Sequence, residues 1–210
     1  LLKGARYFEF EQINKALQQQ SHQTVLEINM DHLISNFNYF RLKLDKETKI
    51  MLMVKAFSYG SGSYEIANLM QYHRADYLAV AYADEGVELR KAGISLPILV
   101  MSPDEENMDS ILKHDLEPEI YSFSILNALE YSIKKSIHPK NKPIRIHIKL
   151  DTGMNRLGFE EKEIDALVKR IRMNDLLHPQ SIFSHLAGSD DGDFEDFTRE
   201  QFDKFCYMAS

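Results

Sequence analysis

The sequence predicts an α/β fold: a (β/α)8 barrel of the TIM type, incomplete at its C-terminus. Three observations lead there. Short apolar runs rich in β-branched residues alternate with helical patterns along the chain. The runs are apolar nearly throughout, as strands of a parallel sheet covered on both faces must be. No GxGxxG follows the early strands, which counts against the doubly wound, dinucleotide-binding alternative.

The strands are expected at 24–29 (TVLEIN), 50–55 (IMLMVK), 77–82 (YLAVAY), 98–101 (ILVM), 118–121 (PEIY), 144–150 (IRIHIKL) and 181–186 (SIFSHL). Between them Leu33, Phe37, Phe40 and Leu44 form one helical stripe, and Ile164, Leu167, Val168 and Ile171 form another. Gly93 is placed to close a helix ending at Ala92, and Pro97 precedes the next strand, where its missing N–H does little harm. Residues 18–23 (QQQSHQ) are polar and read as a linker, which sets residues 1–17 apart as a short strand and helix. The last residues, EDFTREQFDKFCYMAS, stop inside a helical pattern, as a piece of something longer would.

Composition narrows the function. A net charge of −7 disfavours nucleic acid as the main partner, because phosphate neutralisation needs a basic face. The single cysteine, Cys206, cannot form an internal disulfide, which fits a cytoplasmic protein. No apolar run reaches the ~18 residues of a membrane span. The histidines lack HExxH or paired-ligand spacing, so no metal is expected.

Three clusters follow strands and so belong to the end of a barrel where active sites gather. In MVKAFSYGSG, Lys55 ends a strand; desolvated there, its amine becomes a nucleophile able to form a Schiff base. Tyr59 lies four residues on, and Gly60 and Gly62 let backbone N–H groups approach an anion. In KLDTGMNRLGF, Lys149, Asp151 and Arg156 put two cations and an anion in one short segment, with Arg156 suited to a bidentate clamp on an oxyanion. In SHLAGSDD, His185 stands near a strand end, where it could orient a cofactor or shuttle a proton. Each alone has a plainer reading: a lysine snorkelling to solvent, a surface Asp–Arg pair, a satisfied core histidine. Together, a nucleophilic lysine, an arginine and a histidine at one barrel mouth suggest carbonyl or pyridoxal phosphate chemistry.

In order and spacing, TVLEINMDHLISNF, MLMVKAFSYGSG, YLAVAYADEGVELRKAGISLPILVM, IKLDTGMNRLGF and FSHLAGSDD resemble the N-terminal part of the pyridoxal phosphate-dependent alanine racemases, of fold type III, over residues 24–210. The resemblance implies an isomerase that interconverts L-alanine and D-alanine through a pyridoxal phosphate aldimine and supplies D-alanine for peptidoglycan and the cell wall. By position, Lys55 matches the aldimine lysine, which also serves as one racemisation base. Tyr59 matches the tyrosine on the cofactor phosphate, and Leu78 matches an apolar residue against the pyridine ring. Arg156 matches the arginine on the phenolic oxygen, and His185 the histidine behind the ring. Lys149 matches a lysine that is carbamylated in many members. The family usually reads KANAYGHG, whereas here Phe57 and Ser61 replace the asparagine and histidine.

The family's opposite-face tyrosine, its last two barrel strands and its C-terminal β-domain have no counterpart in these 210 residues, so the chain alone is expected to be inactive. A full-length homodimer is implied. Residues 1–17 (LLKGARYFEFEQINKAL) resemble the closing strand and helix of the ligase that adds D-alanyl-D-alanine to UDP-N-acetylmuramoyl-tripeptide, which some bacteria carry fused ahead of an alanine racemase. Competing readings are a racemase of another small amino acid, a non-catalytic pyridoxal phosphate-binding barrel, or a cofactor-free docking module.

Overall fold

The structure, a computed structural model, describes residues 27–55, 63–135 and 143–210. The expected ligase tail, the linker and Tyr59 lie outside the described residues.

Six strands make one sheet: β1 (Met51–Met53), β2 (Tyr77–Val80), β3 (Ile98–Val100), β4 (Glu117–Ile120), β5 (Ile144–Lys149) and β6 (Leu177–Phe183). Every neighbouring pair is parallel and the spatial order is the chain order, β1 to β6. A doubly wound sheet reverses its strand order at a switch point; a barrel does not. The sheet is therefore an open section of a (β/α) barrel, as the sequence pattern required. The helices are α1 (Met30–Lys43), α2 (Ser63–Tyr72), α3 (Ala83–Lys91), α4 (Met108–Lys113), α5 (Phe123–Lys135), α6 (Ile164–Arg172) and α7 (Glu195–Ala209).

Two strand expectations shift. In the described part of 24–29, residues 27–29 form no strand, because Asn29 is committed to capping α1: its side chain accepts from His32 N at 3.0 Å. The last strand runs over Leu177–Phe183 rather than 181–186. Its register steps from Ile146↔Pro179 to His147↔Ser181, so Gln180 is an extra residue beside a proline that has no N–H to give the ladder. That irregularity breaks the apolar alternation from which the strand was read.

Alternation along the strands divides the sheet into two faces. Leu78, Val80, Ile98, Val100, Ile120, Ile146 and Ile148 point outward and pack with Ile111, Leu126, Leu129 and Leu167 of the helices. Each such side chain contributes about 1.5–3 kcal/mol on burial, so this outer layer carries the fold. The inner face is polar. At its lower level the Glu117 carboxylate meets Arg145 Nε at 2.6 Å and His147 Nε2 at 2.8 Å, while His147 Nδ1 lies 2.6 Å from Ser181 Oγ. Burial, and then the charge of Glu117, push the Tyr77 hydroxyl up to about 12, so it is a neutral phenol. This ionic floor supports the site above it.

Candidate active site

The upper level of the inner face is set by β4 and β5. Glu119 follows Glu117 by two residues and Lys149 follows His147 by two, so both stand one layer nearer the strands' C-terminal ends. Lys149 Nζ lies 3.1 Å from Glu119 Oε1, with both side chains almost wholly buried, and 5.6 Å from the centre of the Phe183 ring. Neither Glu119 oxygen has an aligned hydrogen bond among the described residues. Burial therefore raises its carboxyl to about 7, although Lys149 and then Arg156 pull it down.

Arg156 is carried by a loop whose sequence explains its shape. Asp151 Oδ1 accepts from Gly153 N (2.9 Å) and Asn155 N (3.1 Å), closing a tight turn, and Asn155 takes the left-handed φ of 54°. The expected local Asp–Arg pair is not what the carboxylate serves: it organises backbone. The loop then folds back on its own strand. Phe159 N donates to Lys149 O and Asp151 N to Phe159 O, each at 2.9 Å, and Phe159 is fully buried. At Gly158, φ is +132° and a Cβ would stand 2.5 Å from Asp151 N and 2.6 Å from Leu150 C, so only glycine fits. Thus DTGMNRLGF is a closed loop that projects Arg156 from a fixed base.

His185 follows β6 on a loop tied to the same region. Gln201 of α7, fully buried, donates through Nε2 to His185 O (3.0 Å) and Thr152 Oγ1 (3.3 Å), and accepts from Ala187 N (2.9 Å). Thr152 Oγ1 and Ser184 Oγ are 2.7 Å apart, and Ser184 donates to Leu150 O at 2.8 Å. Burial first, then the cations Arg156, Lys149 and Lys55, hold the His185 imidazole below its ordinary protonation range. One imidazole feels three positive charges, one from beyond the end of β1 and two from the end of β5 and the loop after it.

The structure therefore brings Lys55, Lys149, Arg156 and His185 into one electrostatic neighbourhood. Leu78 does not join them. Tyr77 shares the inner face with Glu117, so its neighbour Leu78 points outward, fully buried in the helix-facing core. Ala79 is the inward residue of β2 at that height. Sequence reasoning missed Glu119 and Gln201. Both were visible as polar residues inside apolar patterns: Glu117 and Glu119 alternate along LEPEIY, and Gln201 lies on the helical stripe of Phe197, Phe205 and Met208.

These groups fit an anionic, carbonyl-bearing cofactor: one strand-end amine, further cations, and an imidazole kept neutral. Comparison with known proteins gives the family. The family described as alanine racemase, N-terminal domain, matches residues 28–210. The chain is 37% identical over 187 residues to the alanine racemase of Methanococcus maripaludis, covering 88% of this chain and 49% of that protein. It is 34% identical to that of Clostridium tetani, covering 88% and 46%. The structure of an alanine racemase from Clostridium difficile 630 superposes with a TM-score of 0.80 at 29% identity, covering 91% of this chain and 49% of that one. The chain spans about half the length of these relatives. It belongs to the alanine racemase N-terminal domain family.

Proposed function

We propose that this chain is the cofactor-holding part of a pyridoxal phosphate-dependent racemase that interconverts L-alanine and D-alanine, supplying D-alanine for peptidoglycan in the cytoplasm. The observation that carries the reading is the convergence of Lys55, Lys149, Arg156 and His185 above a polar inner sheet face. A docking module gains nothing from several cations gathered around an imidazole whose protonation they oppose.

Bound pyridoxal phosphate supplies an electron sink that acidifies the substrate's α-hydrogen. The protein's residues do the rest. Lys55 Nζ would hold the cofactor and would move the α-proton on one face of the substrate. Tyr59, by the family resemblance, would serve the cofactor's phosphate. Arg156 offers two parallel N–H donors to the phenolic oxygen, from a loop whose base is locked by the Leu150–Phe159 bridge. His185, kept unprotonated, would orient the cofactor without adding another positive charge. The substrate's second face is served from outside this chain, in a homodimer. Residues 1–17 are proposed as the end of the preceding ligase, which agrees with a family match that begins only at residue 28.

Borohydride reduction of the full-length protein followed by peptide mapping tests the assignment. The pyridoxyl label is expected on Lys55. A label on Lys149 would overturn it.

A further inference from the structure

Among the described residues the proposed mechanism leaves two charged groups of the site without a task, Lys149 and Glu119, and Glu119 is the anion of the pair. It is fully buried on β4, has no aligned hydrogen bond among the described residues, and stands 3.1 Å from Lys149. A buried carboxylate costs several kcal/mol of effective desolvation unless something uses its charge. The groups facing it are Lys149 from β5, Arg156 from the following loop, and Tyr121 just past β4, whose hydroxyl is itself raised, by burial first and then by Glu119. Two of the three are cations, and the third is a neutral phenol.

Resting on the racemase reading, we propose that Glu119 supplies the resident anion of this site, holding Lys149 as an unmodified ammonium and balancing the guanidinium of Arg156. The alternative is carbamylation of Lys149. In that reaction the unprotonated Nζ lone pair attacks the carbon of carbon dioxide, an N–C bond forms, one C=O pair moves onto oxygen, and a proton leaves the nitrogen for solvent. Both ends of the step are opposed here. Once Glu119 has given up its proton, above about pH 7, the carboxylate 3.1 Å away pairs with the ammonium, which has no lone pair to give. The product would place a second anion against Glu119 in a pocket that already fails to hydrogen-bond the first. The site thus obtains from its own sequence the negative charge that a carbamate would bring.

The test is carbon-13 NMR of the full-length protein equilibrated with 13C-bicarbonate at pH 8, where Glu119 is ionised, with the absorbance of the Lys55-bound cofactor recorded on the same samples. The wild type is expected to show the chromophore and no carbamate resonance. Glu119→Gln, isosteric and uncharged, is expected to gain a carbamate resonance, and Glu119→Gln combined with Lys149→Arg to lose it again. A carbamate on Lys149 in the wild type, with the chromophore present, overturns this inference and leaves the racemase reading standing. No carbamate in either the wild type or Glu119→Gln overturns the role given to Glu119. A wild type without the chromophore overturns the cofactor reading and this inference with it.

Discussion

Replacing Gly158 with alanine should damage the site through the backbone alone. The new Cβ would sit 2.5 Å from Asp151 N and 2.6 Å from Leu150 C, and these are main-chain atoms of a strand end, not flexible tips. The φ of +132° adds about 1–3 kcal/mol of strain for any side chain. The cheapest escape is to open the bridge, losing the two 2.9 Å hydrogen bonds between Phe159 and the strand at about 1 kcal/mol each and exposing part of the Phe159 ring. The expected loss is about 3–5 kcal/mol, or about 10–15 °C in Tm for a domain of this size. Two glycines provide controls. Gly93 has φ +96° with open space around its missing Cβ, so Gly93→Ala should cost only about 1 kcal/mol. Gly192 has neither restriction, and Gly192→Ala should be close to neutral. Thermal unfolding by circular dichroism ranks the three in the full-length protein. If Gly158→Ala lost no more stability than Gly93→Ala, the close backbone approach would not be what fixes the Arg156 loop.

Other outcomes follow from the same geometry. Gln201→Leu strands the Ala187 N–H and the His185 carbonyl, and should cost about 2–4 kcal/mol in chemical denaturation; a neutral result would mean water replaces the amide. Arg156→Lys keeps the charge but loses the fork, and should weaken turnover by the ~1.5–3 kcal/mol of a charged hydrogen bond, with an altered cofactor spectrum; unchanged spectrum and rate would return Arg156 to the solvent surface. Glu119 makes stability depend on pH. Folded it holds its proton up to about 7, and unfolded it releases it near 4.5, so between those values only the folded state keeps the proton. Its contribution is present below 4.5 and lost as pH rises through 7, by at most about 3 kcal/mol. Denaturation at pH 5 and pH 8 should show that fall in the wild type and a smaller one in Glu119→Gln; equal slopes would place the titration elsewhere.

Much of this was legible in the sequence because local rules decide it. The apolar runs and helical stripes predicted a barrel, and the consecutive strand order agrees. The Gly153 and Gly158 spacing predicted a tight loop, and both take positive φ. Leu78 was misjudged because a run apolar at every position, YLAV, carries no signal of which residue faces inward. That parity is fixed only by Tyr77 meeting Glu117, forty residues away in sequence. The Glu119–Lys149 pair was hidden for a similar reason: its members lie on different strands, and only the register Glu119↔His147 makes them neighbours. The bulge at Gln180 was invisible because it depends on the partner strand.

The Gln201 amide has a consequence for the order in which the site becomes rigid. It joins a turn at Thr152, already closed by the Asp151 carboxylate and the Leu150–Phe159 bridge, and a loop at 185–187 to a helix that begins only at Glu195, so the amide's hold on the 185–187 loop is made only when that helix docks. Opening of α7 should then release the 185–187 loop with it as one cooperative unit, while the outer sheet layer stays closed. In hydrogen exchange the Ala187 amide should share its opening free energy with the inner face of α7 rather than with β6, the strand it follows. The His185 side of the candidate site would be the last part of this barrel to set and the first to loosen.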